Sequence, residues 1–145
     1  MSKNNNLDFV YKEEILERSI NPGFSSELSK VDKFISGLNP FCGDEVKIQL
    51  LIKNNFICKV GIQAIGCKIN IASASILSET IINKPVKKIT ELENLFVEYL
   101  NNTSTKETYS ELEHLLKLSQ IKNFPIRIKC ILLSWSALNE AIGNN

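Results

Sequence analysis

The strongest constraint on the fold lies in EVKIQLLIKNNFICKVGIQAIG, residues 45–66. Val46, Ile48, Leu50 and Ile52 fall on one side, and Lys47, Gln49 and Lys53 on the other. A period of two is the mark of a half-buried strand. Asn54-Asn55 then reads as a hairpin turn. A second strand follows, with Phe56, Cys58, Val60, Ile62 and Ala64 expected on one face. KVDKFISG, residues 30–37, alternates more loosely and fits a short edge strand. Residues 30–65 are therefore expected to form a small antiparallel meander.

On either side of the meander the period becomes helical. In LDFVYKEEILERS, residues 7–19, Leu7, Tyr11 and Ile15 recur every fourth position, and NPG at 21–23 ends the helix. From about Asn70, the residues Ile71, Ala74, Leu77 and Ile81 repeat at helical spacing up to Lys84-Pro85. Thr90 with Glu93 fits a capping box ahead of Leu92, Leu95, Phe96 and Tyr99. After the loop NNTSTK, Ser110 with Glu113 fits a second box, before Leu112, Leu115 and Leu116. In FPIRIKCILLSWSALNEAIG, Ile128, Ile131, Trp135, Leu138 and Ile142 are spaced three, four, three, four, with Pro125 near the start. Helix, then strands, then helices argues an α+β fold. At 145 residues the chain suits one domain, 1–145.

The formal net charge is +1 and no basic block is visible, so a nucleic-acid footprint is not expected. No apolar run is long enough to span a bilayer. MSKNNNLDF lacks the charged start and apolar run of a signal peptide. The expectation is a soluble, cytoplasmic protein. In a reducing compartment its four cysteines point to metal binding or thiol chemistry rather than to disulfides.

Three of them sit near element ends. Cys42 lies in the turn NPFCGD before a strand, Cys67 follows Gly66 where strand gives way to helix, and Cys130 opens the last helix. Helix N-termini and the nearby Lys68, Arg127 and Lys129 are expected to favour thiolates. Asp44 adds a hard oxygen ligand, and Gly43 lets residues 42 and 44 face one point. Three thiolates and a carboxylate would suit a tetrahedral divalent metal such as zinc. Spacing alone is equally compatible with three unrelated thiols, since there is no CxxC pair. Cys58 reads as a small buried hydrophobe on its strand. His114 falls opposite the leucine face of its helix and reads as solvated.

NPFCGD, GCKINIASAS and FPIRIKCILLSWSAL together resemble the U-type iron–sulfur cluster assembly proteins, a family that includes IscU, the NifU N-terminal domain and SufU. The resemblance covers roughly residues 7–143 and is nearest the SufU branch. It implies a small antiparallel sheet packed by helices, with Cys42, Cys67 and Cys130 as the essential cysteines and Asp44 as the motif aspartate. Scaffold-branch members place a histidine before the third cysteine, where this chain has Lys129. The long span from Cys67 to Cys130 is similar to the helical insertion of the SufU branch. ERSINPGF, residues 17–24, departs from the family's DHxxNPRN-like run at Arg18, Gly23 and Phe24.

The resemblance implies a zinc-bound sulfur acceptor serving a SufS-like cysteine desulfurase. Cys42 would take the persulfide, Cys42, Asp44, Cys67 and Cys130 would hold the metal, and Arg127 and Lys129 would be auxiliary. Sulfur would pass on to a downstream scaffold or apo-protein. The alternative is a scaffold carrying a [2Fe–2S] cluster, made labile by its one aspartate ligand. A structural zinc module without sulfur traffic is a third reading, one that requires the metal for folding.

Overall fold

A computed structural model of the chain describes residues 16–39, 43–100 and 125–143. Helix α1 (Leu16–Ile20) leads into strands β1 (Lys33–Asn39), β2 (Asp44–Lys53) and β3 (Phe56–Ile65). Helices α2 (Lys68–Ile81), α3 (Val86–Leu100) and α4 (Pro125–Gly143) follow. The strands form one antiparallel sheet in the order β1-β2-β3, the α+β meander expected. The rest of the expected first helix, the Ser110–Glu113 box and His114 lie outside the described residues.

Asn54 and Asn55 join β2 to β3 with φ of 53° and 67°. Left-handed backbone at both central positions matches the twist of a two-residue hairpin, and asparagine tolerates it well. The alternation then departs from expectation. Leu51 pairs with Lys59 but Ile52 pairs with Ile57, so Cys58 is an extra residue on β3. An inserted residue reverses the facing of everything beyond it. Ile57 is therefore fully buried while Phe56 is 47% exposed, the reverse of the expected order. Cys58, at the kink, is only half-buried rather than a core residue.

One sheet face carries Val46, Ile48, Leu50, Ile57, Val60 and Ile62 into the core. α4 lies across β1 and β2, and α2 packs on β3 and on α4. α2 is buried on nearly every side, which its run of small residues, Ala72 to Ser75, permits. Ser73 Oγ donates to the carbonyl of Ile131 at 2.7 Å, fixing α2 against α4. α3 begins at Val86, directly after Pro85, not at the Thr90–Glu93 pair. Thr90 lies inside the helix, and its Oγ1 donates to Asn139 Oδ1 of α4 at 2.9 Å. Phe96 of α3 meets Trp135 of α4 with ring centroids 6.1 Å apart.

The segment that departs from the family pattern has a local account. Arg18 makes a fork of two 3.0 Å hydrogen bonds to the Glu79 carboxylate. Its Nη1 also donates to Ser75 Oγ at 2.9 Å, and Ser75 Oγ donates to the Pro22 carbonyl at 2.6 Å. A planar guanidinium suits this two-toothed contact, which ties α1 to α2. No helix among the described residues is long and apolar enough to cross a membrane.

Candidate metal centre

Asp44 opens β2 on the same side as Val46, Ile48 and Leu50, in the register of a core residue, and is fully buried. A carboxylate taken out of water is costly unless it is paired or hydrogen-bonded. Cys67 supplies two of its partners. The Cys67 backbone N–H donates to Asp44 Oδ1 at 2.8 Å, and the thiol donates to Oδ2 at 3.5 Å.

The local turns make this approach possible. Gly43 adopts φ +74°, and its N–H donates to the Asn39 carbonyl at 2.8 Å. Gly66 adopts φ +123°. A methyl group there would strike the Asp44 carboxylate and come within 2.9 Å of its Cα. Only glycine lets the end of β3 pass so close to the start of β2.

Cys67 is the N-cap of α2, in extended backbone, and its sulfur accepts the Asn70 N–H at 3.4 Å. The thiol thus takes the part a serine hydroxyl plays at many helix starts. Cys130 sits on α4, which begins at Pro125, so it lies in the second turn rather than the first, and it is buried. One ligand atom from each of Asp44, Cys67 and Cys130 lies within 4.8 Å of the others. Tetrahedral zinc, with Zn–S of about 2.3 Å, needs sulfurs roughly 3.8 Å apart, so little closure is required. A buried oxygen donor beside two soft sulfurs fits a borderline metal such as zinc.

The electrostatics overturn one expectation. Burial pushes the Cys67 thiol above its ordinary range, and the nearby Asp44 charge adds to this; the Asn70 N–H offsets only part. Burial raises Cys130 further, with Cys67 and Asp44 contributing. At Cys67 desolvation outweighs the N–H of the helix start, so the helix terminus does not leave a ready thiolate there. Lys68 and Lys129 are exposed. Arg127 belongs to α4, but its side chain lies outside the described residues.

Cys42 also lies outside the described residues. Cys58 sits at the bulge near the hairpin, toward the opposite end of the sheet from Asp44. Two residues beyond the expected ligand set shape the site. Gly66 supplies the clearance, and the Asn70 N–H donates to the Cys67 sulfur. A polar residue among apolar neighbours in KINI was the available signal for Asn70.

Comparison with known proteins identifies the family of the chain. The family model for the NifU-like N terminal domain matches residues 10–131. The chain is 33% identical over 135 residues to the iron–sulfur cluster assembly scaffold protein IscU of Thermotoga maritima, covering 92% of each. It is 28% identical over 143 residues to the zinc-dependent sulfurtransferase SufU of Bacillus subtilis, covering 98% of this chain and 95% of that one. A crystal structure of a SUF-system scaffold protein from Fervidobacterium islandicum AW-1 superposes with a TM-score of 0.85 at 28% identity, covering 92% of this chain and 97% of that one. An N-terminal NifU-like protein from Brucella abortus shares the fold, with a TM-score of 0.78 at 16% identity and 94% of each chain covered. The family match and the shared topology together show that the chain belongs to the NifU-like N-terminal domain family.

Proposed function

We propose that this protein is an iron–sulfur cluster assembly factor that accepts sulfur from a cysteine desulfurase, with zinc held by Asp44, Cys67, Cys130 and Cys42. The supporting observation is the convergence of one buried carboxylate and two thiols within 4.8 Å. The zinc dependence named for the Bacillus subtilis relative supports the same reading. Bound zinc would keep the thiols deprotonated against the burial that otherwise holds their protons.

The chain's own groups have distinct parts. Asp44 Oδ1 stays tethered to the Cys67 N–H, which leaves Oδ2 as the ligand oxygen once the Cys67 proton departs. Cys67, at the N-cap of α2, and Cys130, on α4, serve as fixed ligands. Cys42, which lies between β1 and β2 in the sequence, is assigned as the acceptor through the family resemblance. Its thiolate attacks the outer sulfur of the desulfurase persulfide. The S–S bond breaks, the desulfurase cysteine leaves as thiolate, and Cys42 carries the new persulfide. Lys129, where the scaffold branch has histidine, supports this reading over a scaffold.

A scaffold role is favoured by the name of the 33% identical Thermotoga relative. The same residues would then hold a [2Fe–2S] cluster as cargo. Two measurements separate the readings. Protein purified anaerobically without added metal should carry about one zinc per chain and no acid-labile sulfide. Its stimulation of desulfurase turnover should vanish in Cys42→Ala. Iron with matching sulfide, passed on to an apo-ferredoxin, would instead establish the scaffold.

A further inference from the structure

Asn70 is fully buried in the first turn of α2. Its side-chain Nδ2 donates to the carbonyl of Glu45 and to the carbonyl of Ile65, each at 3.1 Å. Glu45 directly follows Asp44, and Ile65 directly precedes Gly66 and Cys67. The two face each other at the last paired position of the β2–β3 ladder. One amide group therefore bridges both strand ends where the ladder stops. The same residue's backbone N–H donates to the Cys67 sulfur at 3.4 Å.

The orientation of the amide is unambiguous. A flipped amide would aim Oδ1 at two carbonyl oxygens, which offer no proton. With both Nδ2 hydrogens used, Oδ1 is left buried with no hydrogen-bond partner among the described residues. A wasted buried acceptor is uncommon, and one in a native protein calls for an explanation. Here the donor end is what the site needs, and the bare oxygen accompanies it. Local rules broken in this way tend to occur at functional positions.

We infer that Asn70 is a positioning residue for the metal centre: it clamps the ends of β2 and β3 and the Cys67 sulfur so that Asp44 Oδ2 and Cys67 Sγ converge before metal arrives. This rests on the reading of Asp44, Cys67 and Cys130 as metal ligands. Outer partners of this kind typically change metal affinity by about 10–100-fold.

The test uses the full chain, stripped of metal and titrated with zinc against a chromophoric chelator, and separately with cobalt(II). Asn70→Ala should bind zinc about 10–100-fold more weakly. Its cobalt spectrum should change in ligand-field intensity and in the thiolate charge-transfer band. Thr80→Val is the control. It removes the Thr80 Oγ1–Ile76 carbonyl bond at the far end of α2 and should lower stability while leaving zinc affinity and the cobalt spectrum unchanged. Zinc affinity and cobalt spectrum in Asn70→Ala equal to those of the unaltered chain would overturn the inference alone. An unaltered chain that takes up no zinc would overturn the metal-site reading, and the inference with it. Should Asn70→Ala fail to fold, the side-chain amide protons of Asn70 in the unaltered metal-free chain decide. Slow exchange supports the clamp, and exchange as fast as an exposed amide overturns it.

Discussion

Gly66 and Asp44 occupy one another's space so closely that a single methyl group decides the fate of the site. In Gly66→Ala the new carbon meets the Asp44 carboxylate and lies 3.0 Å from its Cγ, at a φ of +123° that alanine rarely adopts. Backbone strain of this kind costs roughly 1–3 kcal/mol. The expected result is a lower Tm together with loss of most zinc binding, read by thermal unfolding and elemental analysis. The two thiols make a pH prediction. Both are raised by burial in the metal-free protein, so both keep their protons near neutrality. Metal must displace them. Zinc affinity should therefore rise with pH, by on the order of 100-fold per unit from the Cys67 and Cys130 protons alone, with any proton displaced from Cys42 adding to that slope. Calorimetry in buffers of different ionisation enthalpy would count those protons, and a count of zero would contradict the assignment of Cys67 and Cys130 as ligands.

At the scale of elements, the hairpin shows how far a pattern can be read. The Asn54-Asn55 turn and β2 up to Leu50 were legible, because strict alternation and a two-residue asparagine turn each have one structural meaning. The bulge at Cys58 was not. FICKVGIQAIG has an apolar residue at both parities near its start, so neither phase is excluded by sequence. Packing decides, and it selects Ile57. The consequence can be checked directly. Ile57→Ala should cost about 2–5 kcal/mol in chemical denaturation, as buried isoleucine truncations do. Phe56→Thr, at a half-exposed position, should stay within about 0.5 kcal/mol. Equal losses at the two sites would place the bulge elsewhere. The Thr90–Glu93 pair misled for a different reason. A capping-box pattern marks a helix start only where the chain is free to begin one, and Pro85 with Val86 had already begun it. Thr90 instead spends its hydroxyl on Asn139.

For the molecule as a whole, the site is built at the margin of the core and is not its keystone. Among the described residues, twenty-two buried hydrophobic residues, Trp135, Phe96 and Cys130 included, form one core without any need for an ion. Metal removal is therefore expected to leave the helical circular dichroism intact. Zinc at roughly 100–1,000 times its Kd would add about 2.7–4.1 kcal/mol by mass action, and chelation would remove that increment as a fall in Tm. Unfolding on chelation would instead return the structural-zinc reading. The candidate site shows the same division between what is local and what is not. Asp44, Cys67 and Cys130 could be named from their motifs. Their mutual distance depends on α4 crossing the sheet, which no local pattern encodes. The thiol protonation could not be read either, since it depends on a burial that only the assembled layers create.

The cap at the start of α2 carries a consequence for how freely the site can change. A serine at position 67 would accept the Asn70 N–H as well as cysteine does, or better, because oxygen is the stronger acceptor. The helix therefore places no demand on sulfur. Architecture at that position is indifferent to the choice between hydroxyl and thiol, and under the proposed reading the sulfur is there for the metal it would hold. An exchange of one atom, oxygen for sulfur, would turn a structural cap into a soft ligand without the backbone moving.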